Sequence, residues 1–107
     1  MKSLEVLMET IQNRKENPVE GSYTNYLFSK GEQKILKKIA EESGEVLIAS
    51  LAQSNEDVVL ETCDLMYHLM VLLAQKGISL DEIDAELSKR AEKQRNFKGE
   101  RKPVENL

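Results

Sequence analysis

One cysteine, one histidine, two prolines and no tryptophan occur in a chain of 107 residues. The lone cysteine, Cys63, excludes an intramolecular disulfide, and with one histidine there is no set of ligands for a structural zinc. Aromatic residues make up only 5%, which disfavours a β-sandwich. No apolar run reaches the ~18 residues of a membrane-spanning helix. The opening M-K-S-L-E-V-L-M-E-T places acids where a signal peptide needs an apolar core. Positive charge is not in excess: the formal net charge is −4, which argues against a nucleic-acid partner. These absences leave a cytoplasmic protein with no membrane and no nucleic acid to bind.

What is present is charge in helical arrangement. Charged residues make up 32% of the chain, and Leu, Lys and Glu favour helices. The length suits one domain that buries roughly 60–70% of its unfolded surface. Leu4, Leu7, Met8 and Ile11 recur at helical spacing, so a first helix is expected from Ser3, as N-cap, to Arg14. Asn17-Pro18 and Gly21 end it, and residues 15–30 read as a long loop. A second helix is expected from a capping box at Ser29 and Glu32 to Gln53. A third follows Ser54-Asn55 and stops at Gly77. A fourth starts from a second capping box, Ser79 and Glu82, and extends to Arg95. The expected fold is all-α: a four- to five-helix antiparallel bundle spanning residues 1–95, with a polar tail over 96–107.

Acidic residues supply the chemistry. Glu41, Glu42 and Glu45 stand in K-K-I-A-E-E-S-G-E-V, and Glu61 and Asp64 in L-E-T-C-D-L-M-Y-H. At ~100° per residue, Lys38, Glu42 and Glu45 share one edge of the second helix, beside Ile35, Ile39 and Val46. Asp57, Glu61, Asp64 and His68 share one stripe of the third, which is otherwise apolar nearly all round. A short connection makes the two helices antiparallel and brings Glu42, Glu45, Glu61 and Asp64 together. Clustered carboxylates beside a core repel one another, and a hard divalent cation removes that cost. Carboxylates without histidine or thiolate suit Mg²⁺, with Mn²⁺ possible, and Mg²⁺ commonly accompanies a phosphate substrate. Lys30, Lys34, Lys37 and Lys38 offer positive charge for such a substrate, Lys38 first because it shares the Glu42 edge. Cys63 points away from the acid stripe and is expected to be a small core residue. The apolar third helix needs more cover than its neighbours offer, which suggests completion of the bundle by homodimerisation.

The Glu42-x-x-Glu45 and Glu61-x-x-Asp64 pairs resemble the metal motif of the all-α, MazG-like nucleotide pyrophosphohydrolases. G-S-Y-T-N-Y-L-F-S-K-G-E-Q-K-I-L-K-K-I-A-E-E-S-G-E-V and D-L-M-Y-H-L-M-V-L-L resemble, more narrowly, the phosphoribosyl-ATP pyrophosphohydrolases of histidine biosynthesis. Ser43-Gly44 departs from the pair more common in that family. The resemblance implies Mg²⁺-dependent cleavage of phosphoribosyl-ATP to phosphoribosyl-AMP and pyrophosphate by a homodimer. It implies metal binding by Glu42, Glu45, Glu61 and Asp64, with Lys38 and Glu41 catalytic. Ser22, Tyr23, Thr24, Asn25, Lys30, Lys34 and His68 become candidates for substrate binding. A related enzyme acting on surplus or non-standard nucleoside triphosphates is the competing reading. A dimeric helical adaptor with a structural cation is the non-enzymatic one.

Overall fold

A computed structural model describes residues 1–95, so the expected tail at 96–107 lies outside the described residues. Five helices follow one another: α1 (Lys2–Glu16), α2 (Tyr23–Lys30), α3 (Glu32–Ala52), α4 (Asn55–Lys76) and α5 (Leu80–Arg95). Among the described residues there is no strand, and no helix is long and apolar enough to cross a membrane.

Local chemistry sets most of the boundaries. Ser54 caps α4: its hydroxyl accepts from the Asp57 amide at 3.3 Å, and Asp57 accepts from the Ser54 amide at 3.4 Å. Ser79 and Glu82 make the same reciprocal pair at the start of α5. Gly77 ends α4 in the left-handed region at φ 73°, and Ile78 N–H returns to the Leu73 carbonyl.

Three expectations fail at the front of the chain. The first helix begins at Lys2, without a side-chain cap, so Ser3 lies inside it. The stretch read as a loop contains α2. Ser22 caps this helix by accepting from the Asn25 amide, and Leu27 is completely buried. The supposed capping box at Ser29 and Glu32 does not form. The Ser29 hydroxyl donates back to the Tyr26 carbonyl, and Gly31 separates α2 from α3. Gly31 holds φ 89° and ψ −179°, a combination essentially restricted to glycine.

The core lies where four helices meet. Met8 and Ile11 of α1, Leu27 of α2, Ile35 of α3, and Met70, Val71 and Ala74 of α4 form it. Lys15 donates to the Ala74 carbonyl at 2.9 Å, and Lys76 pairs with Glu32 at 3.0 Å, tying α4 to α1 and α3. α3 and α4 form an antiparallel hairpin through Gln53-Ser54, the most extensive helix pair in the chain. Only the end of this hairpin away from its turn is clothed by α1 and α2. Toward the turn, Leu47, Ile48, Leu51, Val59 and Leu60 are exposed. Cys63 is also exposed, contrary to the expectation of a core thiol, because none of the described helices covers its side of α4. Of α5, Leu80 reaches the core, while Ile83 and Leu87 on the same face stay exposed.

Candidate metal and nucleotide site

The antiparallel hairpin brings acids from distant turns to one level. One carboxylate oxygen each from Glu42 of α3 and Glu61 and Asp64 of α4 lie within 4.8 Å of one another. Glu42 and Glu61 are half-buried and Asp64 is exposed. Glu45 is exposed and stands outside this three-oxygen set, although its charge is felt at Glu61. Burial, then Asp64, Glu45, Glu42 and Asp57, push the Glu61 carboxyl above its ordinary pKa. Converging carboxylates without nitrogen or sulfur donors fit a hard divalent cation, so the residues present suit Mg²⁺.

Lys38 stands at the edge of the cluster. Its ammonium lies 3.2 Å from Glu41 and 3.5 Å from Glu42. The hydrogen bond to Glu41 raises its pKa, so the charge is retained. The Glu41 side chain is about half exposed, at 47%, against 14% for Glu42, as their places on the helix wheel imply.

α2 brings a second group of side chains to α4. The Tyr23 hydroxyl lies 3.0 Å from His68 Nε2, and His68 Nδ1 lies 2.7 Å from the Asp64 carbonyl. Thr24 and Tyr67 are hydrogen-bonded through their hydroxyls. The Tyr23 ring stacks between Tyr26 and Tyr67, with centroids at 6.0 and 6.1 Å. Burial raises the Tyr23 phenol pKa against the opposing pull of Lys38; burial likewise raises that of Tyr67. Lys30 lies over the Tyr26 ring, 5.8 Å from its centre. Tyr26 and Tyr67 were not singled out from sequence for this site; the spacing of Tyr23 and Tyr26 on one helix would have exposed the first, had α2 been recognised.

Other expected substrate contacts are differently employed. The Asn25 carboxamide accepts from Val19 N–H at 2.8 Å and donates to the Arg14 carbonyl at 2.6 Å, closing the α1–α2 connection. Ser22 is the α2 cap. Lys34 sits half-buried on the first turns of α3. A shallow depression of about 620 Å³ is lined by Gly21, Ser22, Tyr23, Asn25 and Tyr26 and by none of the clustered carboxylates. Tyr23 borders it and, through His68, reaches the turn of α4 that carries Asp64.

An all-α hairpin presenting facing carboxylates, flanked by lysine and tyrosine, defines the class: a helical bundle with an acidic cluster across two antiparallel helices. Comparison with known proteins narrows it. The phosphoribosyl-ATP pyrophosphohydrolase family matches residues 4–91. A phosphoribosyl-ATP pyrophosphatase of Clostridium acetobutylicum is 55% identical over 104 residues, covering 97% of this chain and 94% of the relative. One from Lactiplantibacillus plantarum is 47% identical over the full length of both. A histidine biosynthesis bifunctional protein HisIE of Caldanaerobacter subterraneus is 58% identical over 84% of this chain but only 44% of its own length. The chain belongs to the phosphoribosyl-ATP pyrophosphohydrolase family.

Proposed function

We propose that this chain hydrolyses phosphoribosyl-ATP in histidine biosynthesis. Water adds across the α–β phosphoanhydride, giving phosphoribosyl-AMP and pyrophosphate. The observation that carries this reading is the convergence of Glu42, Glu61 and Asp64 across the α3–α4 hairpin in a chain of this family. These three, with Glu45 at the rim, would hold Mg²⁺ or Mn²⁺. The cation, when bound, neutralises phosphate oxygens and acidifies water.

The protein's own groups do the rest. Lys38 is held between Glu41 and Glu42 and keeps its charge, so it meets an incoming phosphate as a cation. When Lys38 exchanges Glu41 for a phosphate oxygen, Glu41 is released to take a proton from the attacking water. Lys30 and Lys34 extend the positive edge along α2 and α3. Ser22, Tyr23 and Asn25 line the depression, which would take the phosphoribosyl and adenosine portion, with Thr24 on Tyr67 and His68 on Tyr23 beside it.

The working molecule in this reading is a cytoplasmic homodimer with residues 1–95 as its catalytic unit. Leu47, Ile48, Leu51, Val59 and Leu60 leave the turn end of the hairpin apolar and uncovered, and a second copy would close it. A wholly apolar groove between α1, α4 and α5, lined by Leu4, Met66, Leu69, Leu73 and Ile83, supports the same reading.

A substrate panel tests the activity. Pyrophosphate release is measured from phosphoribosyl-ATP and from the deoxynucleoside triphosphates, with Mg²⁺ and with chelator. Mg²⁺-dependent release from phosphoribosyl-ATP alone is expected. Hydrolysis confined to deoxynucleoside triphosphates would reassign the substrate, and no hydrolysis at all would favour the adaptor.

A further inference from the structure

His68 is 5% exposed, the one buried polar side chain of the described core, and both its ring nitrogens are engaged. On the neutral imidazole, their partners fix the direction of every hydrogen bond in the chain of contacts. The Asp64 carbonyl can only accept, so Nδ1 donates to it. An imidazole with a single proton then has none on Nε2, which must accept. The Tyr23 hydroxyl therefore donates to Nε2. Its proton is committed, and what the phenol turns toward the site is lone pairs. The phenol is held in that orientation by stacking on Tyr26 and Tyr67.

We infer that Tyr23 meets the substrate as a hydrogen-bond acceptor only, and that His68 is the positioning residue that makes it one. An acceptor-only phenol is a poor partner for ionised phosphate oxygens, which have nothing to donate. It selects a hydroxyl or amino donor instead, and these lie in the nucleoside portion of a nucleotide. Tyr23 borders the depression at the start of α2 while its hydroxyl reaches α4 one helical turn from Asp64. It stands where nucleoside and phosphates divide. The assignment rests on the pyrophosphohydrolase reading and gives Tyr23 and His68 different parts in it: one touches substrate, the other acts through it.

Two measurements test this, and the first does not depend on the substrate. The chain has a single histidine, so long-range ¹H–¹⁵N correlation reads its tautomer without assignment. Protonated Nδ1 with bare Nε2 is expected; the reverse tautomer, or a ring protonated at both nitrogens, overturns the inference. The second is calorimetric titration of the Mg²⁺-loaded protein with phosphoribosyl-AMP and, separately, with inorganic pyrophosphate. Tyr23→Phe and His68→Leu should weaken phosphoribosyl-AMP by about 5- to 10-fold, the loss of one hydrogen bond, and pyrophosphate by less than about twofold. His68→Gln, whose carbonyl can accept the phenol proton, should stay within about twofold of wild type for both ligands. The double variant Tyr23→Phe/His68→Leu should be no worse than Tyr23→Phe. Equal weakening of both ligands, or a His68→Gln variant as impaired as His68→Leu, overturns it. If His68→Leu does not fold, Tyr23→Phe and His68→Gln still decide. Failure of the wild-type protein to cleave phosphoribosyl-ATP would instead remove the underlying reading and leave the tautomer result standing.

Discussion

Burial and the charges of Asp64, Glu45 and Glu42 hold the Glu61 carboxyl above its ordinary pKa. A carboxyl raised on folding stabilises the protein below its unfolded pKa, and that stability is lost as pH rises through the folded value. In chelator, the melting temperature should therefore fall as pH rises above the ordinary glutamate range, and Mg²⁺ should flatten the slope. Glu61→Gln should also flatten it and raise the melting temperature at the upper end. The same substitution, like Glu42→Gln and Asp64→Asn, should cut kcat/KM by about 100-fold or more with helical circular dichroism unchanged. Melts across pH, with and without chelator, and steady-state kinetics check both halves. Near wild-type turnover would remove these residues from the site. The wheel alone made Glu42, Glu61 and Asp64 legible, because helical periodicity fixes which acids share a stripe. It could not separate Glu45 from them, nor show Cys63 exposed. Those depend on how far each helix is rotated and on which neighbour covers it.

At the scale of elements, two glycines have opposite consequences. Gly31 stands between α2 and α3 in a backbone conformation that side chains avoid, and nothing lies within 4 Å of an added Cβ. Gly31→Ala should therefore destabilise through the backbone alone, by about 1–3 kcal/mol. Gly44 is within α3, also with open space around it, and Gly44→Ala should stabilise by about 0.5–1 kcal/mol. Chemical denaturation of both variants checks the signs. The hairpin and its caps were readable because Ser54, Gly77 and Ser79 act through local hydrogen bonds. α2 was hidden because Tyr23, Thr24, Asn25 and Tyr26 are weak helix formers. What makes them helical is tertiary: Leu27 in the core, Asn25 bridging Val19 and Arg14, and Tyr23 on His68. The Ser29–Glu32 pattern had the spacing of a capping box, but Gly31 had already set where α3 begins.

For the whole molecule, the apolar turn end of the hairpin makes self-association the expected state. Size-exclusion with light scattering should give twice the 12.2 kDa chain mass. Replacing Val59 and Leu60, both 61% exposed, by Glu should yield the single-chain mass. A wild-type chain that stays single at micromolar concentration would contradict the dimer. This expectation was legible early, from an α4 apolar on nearly every side, since a helix of that kind needs cover all round. Which stretch stays bare was not, because it follows from where α1 and α2 stop along the hairpin.

The hairpin also bears on the order of assembly. Glu42, Glu61 and Asp64 all lie within two consecutive helices joined by Gln53-Ser54, so no distant part of the chain is needed to bring them together. Contacts that close short loops form early in folding. The acids thus meet, and repel, while the chain is still organising, and a divalent cation can screen them at that stage. Mg²⁺ should act on the refolding rate as well as on the unfolding rate, which stopped-flow refolding at graded Mg²⁺ would resolve. The metal ligands would then be part of the folding nucleus, and the ion a participant in building the protein it later serves.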